Sequence, residues 1–201
     1  KKEDLPAVWK DIGMPSGHAY AKALRTVKTC VGSEWCRFGT QDSTQMGKDL
    51  ERALWRMYAP HKVKLAVSGC PRNCAEAGIK DVGVIGVDSG WEIHVGGNGG
   101  IKTEVAQFLV KVKSAEEVME HAGAFLQLYR EEGWYLERTV HYIARVGLDH
   151  VKKRVVEDAA GRKALWEQLQ FALDGEPDPW FESVRASVDV RQFEPVASMA
   201  A

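Results

Sequence analysis

The sequence predicts an α+β protein: a mixed β-sheet with flanking helices, followed by a helical C-terminal extension. Three observations carry this. Short apolar alternations at Val63, Leu65 and Val67, then over residues 79–87 and 91–95, read as strands. Two capping signatures, Asp42-Ser43-Thr44-Gln45 and Ser114-Ala115-Glu116-Glu117, each precede a stripe at helical spacing. The four cysteines fall in two tight pairs, Cys30-x5-Cys36 and Cys70-x3-Cys74, on glycine-containing bends between those elements.

In chain order, residues 1–17 form an irregular lead-in broken by Pro6, Gly13, Pro15 and Gly17. Residues 18–25 are expected as a short helix, 25–30 as a strand with Val27 on one face, and 31–41 as loop. A helix then starts near Asp42, with Met46, Leu50, Ala53, Leu54 and Met57 as its apolar stripe and Pro60 as its stop. The strand at Val63, Leu65 and Val67 delivers the chain to Gly69-Cys70-Pro71. The strands over 79–87 and 91–95 are joined by a turn at Asp88-Ser89-Gly90, and Gly96-Gly97-Asn98-Gly99-Gly100 follows as a flexible loop.

The remainder reads as helical. Val118, Ala122, Phe125, Leu126 and Tyr129 make one buried stripe; Val140, Ile143, Gly147, Val151 and Val155 make the next. Residues 160–173 make a third helix, ended by Asp174-Gly175-Glu176-Pro177-Asp178-Pro179. A tail follows, with a short strand near 188–190. The expected organisation is a lead-in over 1–17, an α+β cofactor domain over 18–113, a helical extension packed on it over 114–173, and a tail over 174–201.

A chain of 201 residues with 45% hydrophobic and 27% charged residues is long enough for one sizeable core and fits a globular protein. It contains no run of 18 apolar residues, which excludes a membrane-spanning helix. The net charge of −1 gives no general reason to bind nucleic acid. Residues 1–100 carry 14 Lys/Arg against 11 Asp/Glu, a balance of +3, whereas 101–201 carry 13 against 17, a balance of −4. The cysteine half is the mildly basic one, as an anionic cofactor or substrate prefers. Four cysteines do not make a secreted disulfide scaffold at this size, so the expected compartment is the cytosol. The chain opens Lys1-Lys2-Glu3-Asp4 without a methionine and reads as a piece of a longer protein.

The cysteines are the strongest chemical signal. Pro71 fits the first position of a helix, which places Cys70 near an N-cap and Cys74 one turn on. Free N–H groups at such a terminus favour thiolates and sulfides, and Arg72 adds positive charge. On the other pair, Trp35 is placed to shield a metal centre from water. Structural thiols are the bland alternative for any single cysteine. Zinc knuckles ordinarily space their cysteines about two to four residues apart, which Cys30-x5-Cys36 fits poorly. An iron–sulfur cluster accepts wider, less regular spacings. On spacing alone both metals stay open.

Residues 29–39, Thr-Cys-Val-Gly-Ser-Glu-Trp-Cys-Arg-Phe-Gly, and 68–77, Ser-Gly-Cys-Pro-Arg-Asn-Cys-Ala-Glu-Ala, resemble the cofactor motifs of the nitrite and sulfite reductase family. The run His94-Val95-Gly96-Gly97-Asn98 fits the same pattern. The likeness extends over about residues 4–181 and is similar to the C-terminal siroheme portion of assimilatory NAD(P)H-dependent nitrite reductases. The resemblance implies a [4Fe-4S] cluster on Cys30, Cys36, Cys70 and Cys74. It also implies siroheme, with Cys74 shared between cluster and haem iron and so catalytic. It further implies six-electron reduction of nitrite to ammonium, with sulfite as the alternative substrate. Arg72, Asn73, Gly96, Gly97 and Asn98 are the further siroheme-contact candidates. FAD and NAD(P)H, the remaining domains of the same polypeptide and a small reductase subunit are the partners it implies outside this chain. Two departures stand out: the first half of the family's pocket is missing, and Arg72 stands where the second arm often has Asn. A guanidinium can pair with a siroheme carboxylate, which Asn can only hydrogen-bond.

Other features read more plainly. Gly97-Asn98-Gly99-Gly100-Ile101-Lys102-Thr103 fails the phosphate-loop pattern because Ile101 separates glycine from lysine. Gly83-x-x-Gly86 lacks the dinucleotide spacing. His94 is the one histidine expected near a cofactor. Lys152-Lys153-Arg154 reads as a solvated helix face, and Asp178-Pro179-Trp180 as a loop closing on its own core.

Overall fold

A computed structural model describes residues 1–13 and 21–175. The chain divides into two units. Of the smaller, the described part holds a single turn at Lys2–Asp4 and the helix α1, Leu5–Asp11. The larger unit, Ala19–Leu173, carries everything below.

Its centre is a mixed five-stranded sheet in the order β1-β2-β3-β4-β5. The strands are β1 Lys28–Thr29, β2 Leu65–Ser68, β3 Val82–Val87, β4 Gly90–Val95 and β5 Gln107–Val112. The first three run parallel to one another and the last three antiparallel. Between β1 and β2 the chain makes the helical turn α2, Gly32–Trp35, and the helix α3, Ser43–Leu54. The Asp42 carboxylate caps α3 by accepting from the Gln45 N–H at 2.9 Å. The helices α4 Ala115–Glu132, α5 Thr139–Val146, α6 Leu148–Lys152 and α7 Ala159–Asp174 follow the sheet, with a π-helical turn at Lys153–Glu157. Ser114 and Glu117 form the reciprocal capping box that opens α4.

The two faces of the sheet differ. Leu65 and Val67, Val82 and Val84, and Trp91, Ile93 and Val95 alternate onto the large core, which also takes in Phe125, Tyr129, Tyr142, Ile143 and Leu169 from the helices. The intervening residues face the other way. There Ala66, Ala75, Ala77 and Ile85 make a small second cluster against which Cys30 packs. The sheet is therefore thickly covered on one face and thinly lined on the face that carries the cysteines.

A buried ion pair ties helices to sheet. Asp81, fully buried, accepts from both sides: Arg138 Nη2 at 3.0 and 2.9 Å, the Lys64 N–H at 2.8 Å, and the Thr139 hydroxyl. Three donor groups making four contacts satisfy this carboxylate, the condition under which a buried charge is tolerated.

Several sequence expectations are corrected. Residues 21–25 are not helical: Ala23 and Leu24 make isolated bridges to Tyr58 and Val63; residues 18–20 lie outside the described residues. The strand expected over 25–30 is only Lys28–Thr29, paired with Ala66 and Val67 of β2. The loop 31–41 contains the turn α2. Helix α3 ends at Leu54, not at Pro60, since Trp55 turns extended and Arg56 is left-handed at φ 67°. Strand β5 was not expected: its buried residues, Leu109 and Val112, are three apart rather than two, and a bulge at Ile93/His94 shifts its pairing. The stripe from Val140 to Val155 is not one helix, because Gly147 adopts φ 87° between α5 and α6. The short strand near 188–190 and Asp178-Pro179-Trp180 lie outside the described residues.

Candidate cofactor site

Both cysteine arms leave the carboxyl ends of adjacent parallel strands, the position at which open α/β sheets gather ligands. Cys30 directly follows β1, and Gly69-Cys70 directly follows β2. The first arm turns back through α2: the Cys36 N–H donates to the Gly32 carbonyl and the Gly39 N–H to the Cys36 carbonyl, both at 2.9 Å. Residues 40–43 then run beside the second arm.

The arms are stitched through Gly69. Its carbonyl accepts from the Thr40 N–H at 2.8 Å, the Gln41 N–H at 3.0 Å and the Thr40 hydroxyl at 2.9 Å. Its N–H donates to the Cys30 sulfur at 3.1 Å. A Cβ on Gly69 would stand 2.8 Å from the Gln41 carbonyl oxygen and 2.9 Å from Gly32 Cα, so only glycine lets the arms meet. Gly32 itself has φ 65°.

Ser43 sits at the junction, fully buried. Its hydroxyl donates to the Cys30 carbonyl at 2.9 Å and lies 3.2 Å from the Cys30 sulfur. Burial alone would push the Cys30 thiol up; hydrogen bonds from Ser43 and the backbone at Gly69 and Gly32 outweigh it and leave the thiol below its ordinary value.

The second arm does not start a helix, contrary to the reading of Pro71 as a first helical residue. The Asn73 N–H donates to the Cys70 carbonyl at 3.1 Å, which closes a β-turn with Pro71 in its second position. The Glu76 N–H then closes onto the Asn73 carbonyl at 2.8 Å. Asn73 and Glu76 are left-handed, at φ 57° and 61°, so the chain cannot propagate helically. The helix-terminus field expected at Cys70 is therefore absent, and the backbone N–H of Gly69 supplies the donor instead. The Asn73 side-chain oxygen accepts from the Ser68 hydroxyl and the Gly78 N–H, each at 3.2 Å, bracing the loop.

All four cysteines are free; Cys70 is buried, Cys30 and Cys36 half-buried, and Cys74 exposed. Among the described residues no three of His, Cys, Asp or Glu converge as one ion's ligands.

Arginines flank the arms. The guanidinium of Arg72, from the second arm, lies 3.9 Å from the ring centroid of Phe38, from the first, and that of Arg37 lies 4.5 Å from it. Trp35 is 76% exposed and does not close over the cysteines in this chain. Beside them Glu76 accepts from Lys28 at 3.0 Å and Lys80 at 3.1 Å; Lys28 first and Lys80 second hold its carboxyl below the usual range.

The glycine loop packs behind the second arm. The Gly96 and Gly97 N–H groups donate to the Asp81 and Lys80 carbonyls at 2.9 and 2.8 Å, and a Cβ on Gly97 would come within 2.6 Å of the Lys80 oxygen. Asn98 pairs with Glu104 through both backbone groups, and its side-chain amide donates to the Lys102 carbonyl at 2.8 Å. His94 lies on the sheet face opposite the large core, paired with Gly83, 3.5 Å from the Glu92 carboxylate and edge-on to Phe108 at 5.6 Å. Sequence reasoning missed Ser43, Phe38 and Gln41. Ser43 reads in the sequence as part of a helix-start signature, and its place thirteen residues after Cys30 on the next element is the one available hint.

Two loops, joined through Gly69, carry four free thiols beyond the ends of two adjacent strands of a mixed sheet. A family model described as nitrite and sulphite reductase 4Fe-4S domain matches residues 20–163, and the chain belongs to that family. It is 57% identical over 180 residues to the nitrite reductase (NAD(P)H) of Bacillus subtilis (strain 168), covering 90% of this chain and 22% of that protein. It is 39% identical over 200 residues to the nitrite reductase (NADH) large subunit of Escherichia coli (strain K12), covering 96% of this chain and 24% of that one. Dissimilatory sulfite reductase I shares the fold, with a TM-score of 0.65 at 16% identity over 76% of this chain and 56% of that one. The chain thus spans under a quarter of the length of the curated relatives named here.

Proposed function

We propose that this chain is the cluster-and-haem portion of a siroheme nitrite reductase that reduces nitrite to ammonium by six electrons. Cys30, Cys36, Cys70 and Cys74 would hold a [4Fe-4S] cluster. The residues fit that group: the thiols are free, they leave neighbouring strand ends, and Cys30 already receives an N–H donor of the kind that tunes cluster sulfurs. Cys74, the exposed thiol, is the one open to serve as the ligand shared with haem iron. When bound, the pair of cofactors supplies one-electron transfer and a site for the nitrogen atom.

The remaining roles belong to this chain's own groups. Arg72, with Arg37 beside it on Phe38, offers a guanidinium to a siroheme carboxylate. Asn73 keeps one amide N–H₂ for such a contact, while Gly96, Gly97 and Asn98 hold the loop that backs the second arm. FAD, NAD(P)H, the first half of the pocket and a small reductase subunit belong to other parts of the assembly. The domain organisation proposed is a cofactor domain over 18–113 with a helical extension over 114–173. Among the described residues no helix is long and apolar enough to cross a membrane, and four unpaired thiols suit a reducing, cytosolic setting.

The observation that carries this reading is the Gly69–Cys30 stitch between two arms whose residues match nitrite reductases. Sulfite is the second substrate reading, since the family name covers both anions. The test is ammonium formation from nitrite and NADH by the full-length polypeptide, beside the Cys74→Ser variant. Wild-type turnover with the variant at least about 100-fold slower is expected, the order seen when a positioned catalytic group is lost. Nearly normal turnover in the variant contradicts the shared-ligand role, and exclusive turnover of sulfite contradicts the substrate.

A further inference from the structure

The proton of the Ser43 hydroxyl has two claimants. Its oxygen donates to the Cys30 carbonyl at 2.9 Å and stands 3.2 Å from the Cys30 sulfur. A hydroxyl has one proton, so while it serves the carbonyl its contact with sulfur requires the thiol S–H as donor. A metal-bound sulfur carries no proton and can only accept. The Ser43 lone pairs would then face an anionic sulfur in a fully buried site, an unfavourable contact that rotation of one hydroxyl relieves. The carbonyl need not be abandoned by that rotation, because the Thr44 hydroxyl also points at it, from 3.4 Å.

Resting on the assignment of Cys30 as a cluster ligand, we propose that Ser43 is a positioning residue for the cluster: its hydroxyl turns from the Cys30 carbonyl to the Cys30 sulfur when the cluster is bound, and Thr44 takes over the carbonyl. With the Gly69 N–H at 3.1 Å, the sulfur then has two donors. Donors to a cluster thiolate stabilise the reduced, more negative state and raise its reduction potential. The site leaves little other freedom, since Gly32 and Gly69 are the glycines whose missing Cβ atoms make room for the Ser43 hydroxyl, 2.9 and 3.2 Å from where those atoms would stand. The serine brings a hydroxyl to the thiolate of one arm from the first turn of α3, and couples cluster binding to the start of that helix.

The test uses the full-length holoprotein, prepared anaerobically as wild type, Ser43→Ala and Thr44→Val. Each is titrated for the potential of its cluster by electron paramagnetic resonance and compared in H₂O and D₂O for exchangeable-proton coupling. Ser43→Ala is expected to shift the potential to more negative values and to lose one exchangeable coupling. Thr44→Val, which retains side-chain shape, is expected to shift it the same way by less, because the carbonyl then competes for the serine proton. An unchanged potential in Ser43→Ala at wild-type iron content overturns the proposal; should that variant not take up iron, an unchanged potential and coupling in Thr44→Val overturn it. Wild-type protein lacking a four-iron cluster would instead remove the cluster assignment on which the proposal stands.

Discussion

The backbone N–H of Gly69 donates to the sulfur of Cys30 at 3.1 Å, across 39 residues of chain. Each belongs to a different cysteine arm, and each immediately follows one of two adjacent parallel strands. Strand pairing therefore brings the arms side by side, and the missing side chain at Gly69 lets them touch. The four thiols are a product of sheet topology as much as of motif spacing.

Gly69→Ala tests that contact. The added methyl would stand 2.8 Å from the Gln41 oxygen and 2.9 Å from Gly32 Cα, both backbone atoms that cannot swing away. Over-packing of this kind costs about 1–3 kcal/mol. Urea unfolding is expected to show that loss together with reduced iron retention; wild-type values for both would contradict the stitch.

Arg138→Ala should be the more damaging change, although Arg138 lies well away from the cysteine motifs in sequence. It leaves the fully buried Asp81 carboxylate without its charged partner. Removal of one member of a buried pair costs about 3–5 kcal/mol. A loss no larger than about 0.5 kcal/mol, as at an ordinary surface site, would contradict the role given to the pair.

Acid should weaken the fold before its carboxylates titrate. Burial holds the His121 ring below its ordinary value, and its Nδ1–H donates to the Glu117 carbonyl at 2.7 Å. Burial, then Arg138, does the same for His61, whose Nδ1 accepts from the Lys62 N–H at 2.7 Å. The unfolded chain protonates these rings first, so it binds more protons in that window. Stability is full above about pH 6.5 and falls as pH drops below it. Glu137, held low chiefly by Arg145, acts in a separate window, with its contribution lost below the ordinary carboxylate range near about 4.3. A thermal midpoint lower at pH 5.5 than at 7.5 is expected, with a smaller difference in His121→Gln. A midpoint that rises on acidification would contradict the assignment.

Local chemistry was legible in the sequence where one residue type admits one use. The capping box at Ser114, the stripe through Phe125 and Tyr129, and the hairpin at Asp88-Ser89-Gly90 all stand where periodicity put them. Pro71 misled because its fixed φ suits both the first helical position and the second position of a β-turn; the left-handed Asn73 decides for the turn. Strand β5 escaped because its register shifts at a bulge that leaves Leu109 unpaired between Phe108 and Val110, which breaks its alternation. The four cysteines were visible, yet the groups around them were not. Ser43 reads as the start of a helix, and Arg138 meets Asp81 across 57 residues, a distance no local pattern spans.

The central claim is that Cys30, Cys36, Cys70 and Cys74 together hold one [4Fe-4S] cluster. Iron, acid-labile sulfide and zinc measured on the anaerobically purified full-length polypeptide test it most directly, beside the variant with all four cysteines changed to serine. Four cluster irons and four sulfides per chain, lost together in the variant, are the predicted result. Tightly bound zinc with no iron, or iron and sulfide unchanged in the variant, would contradict it.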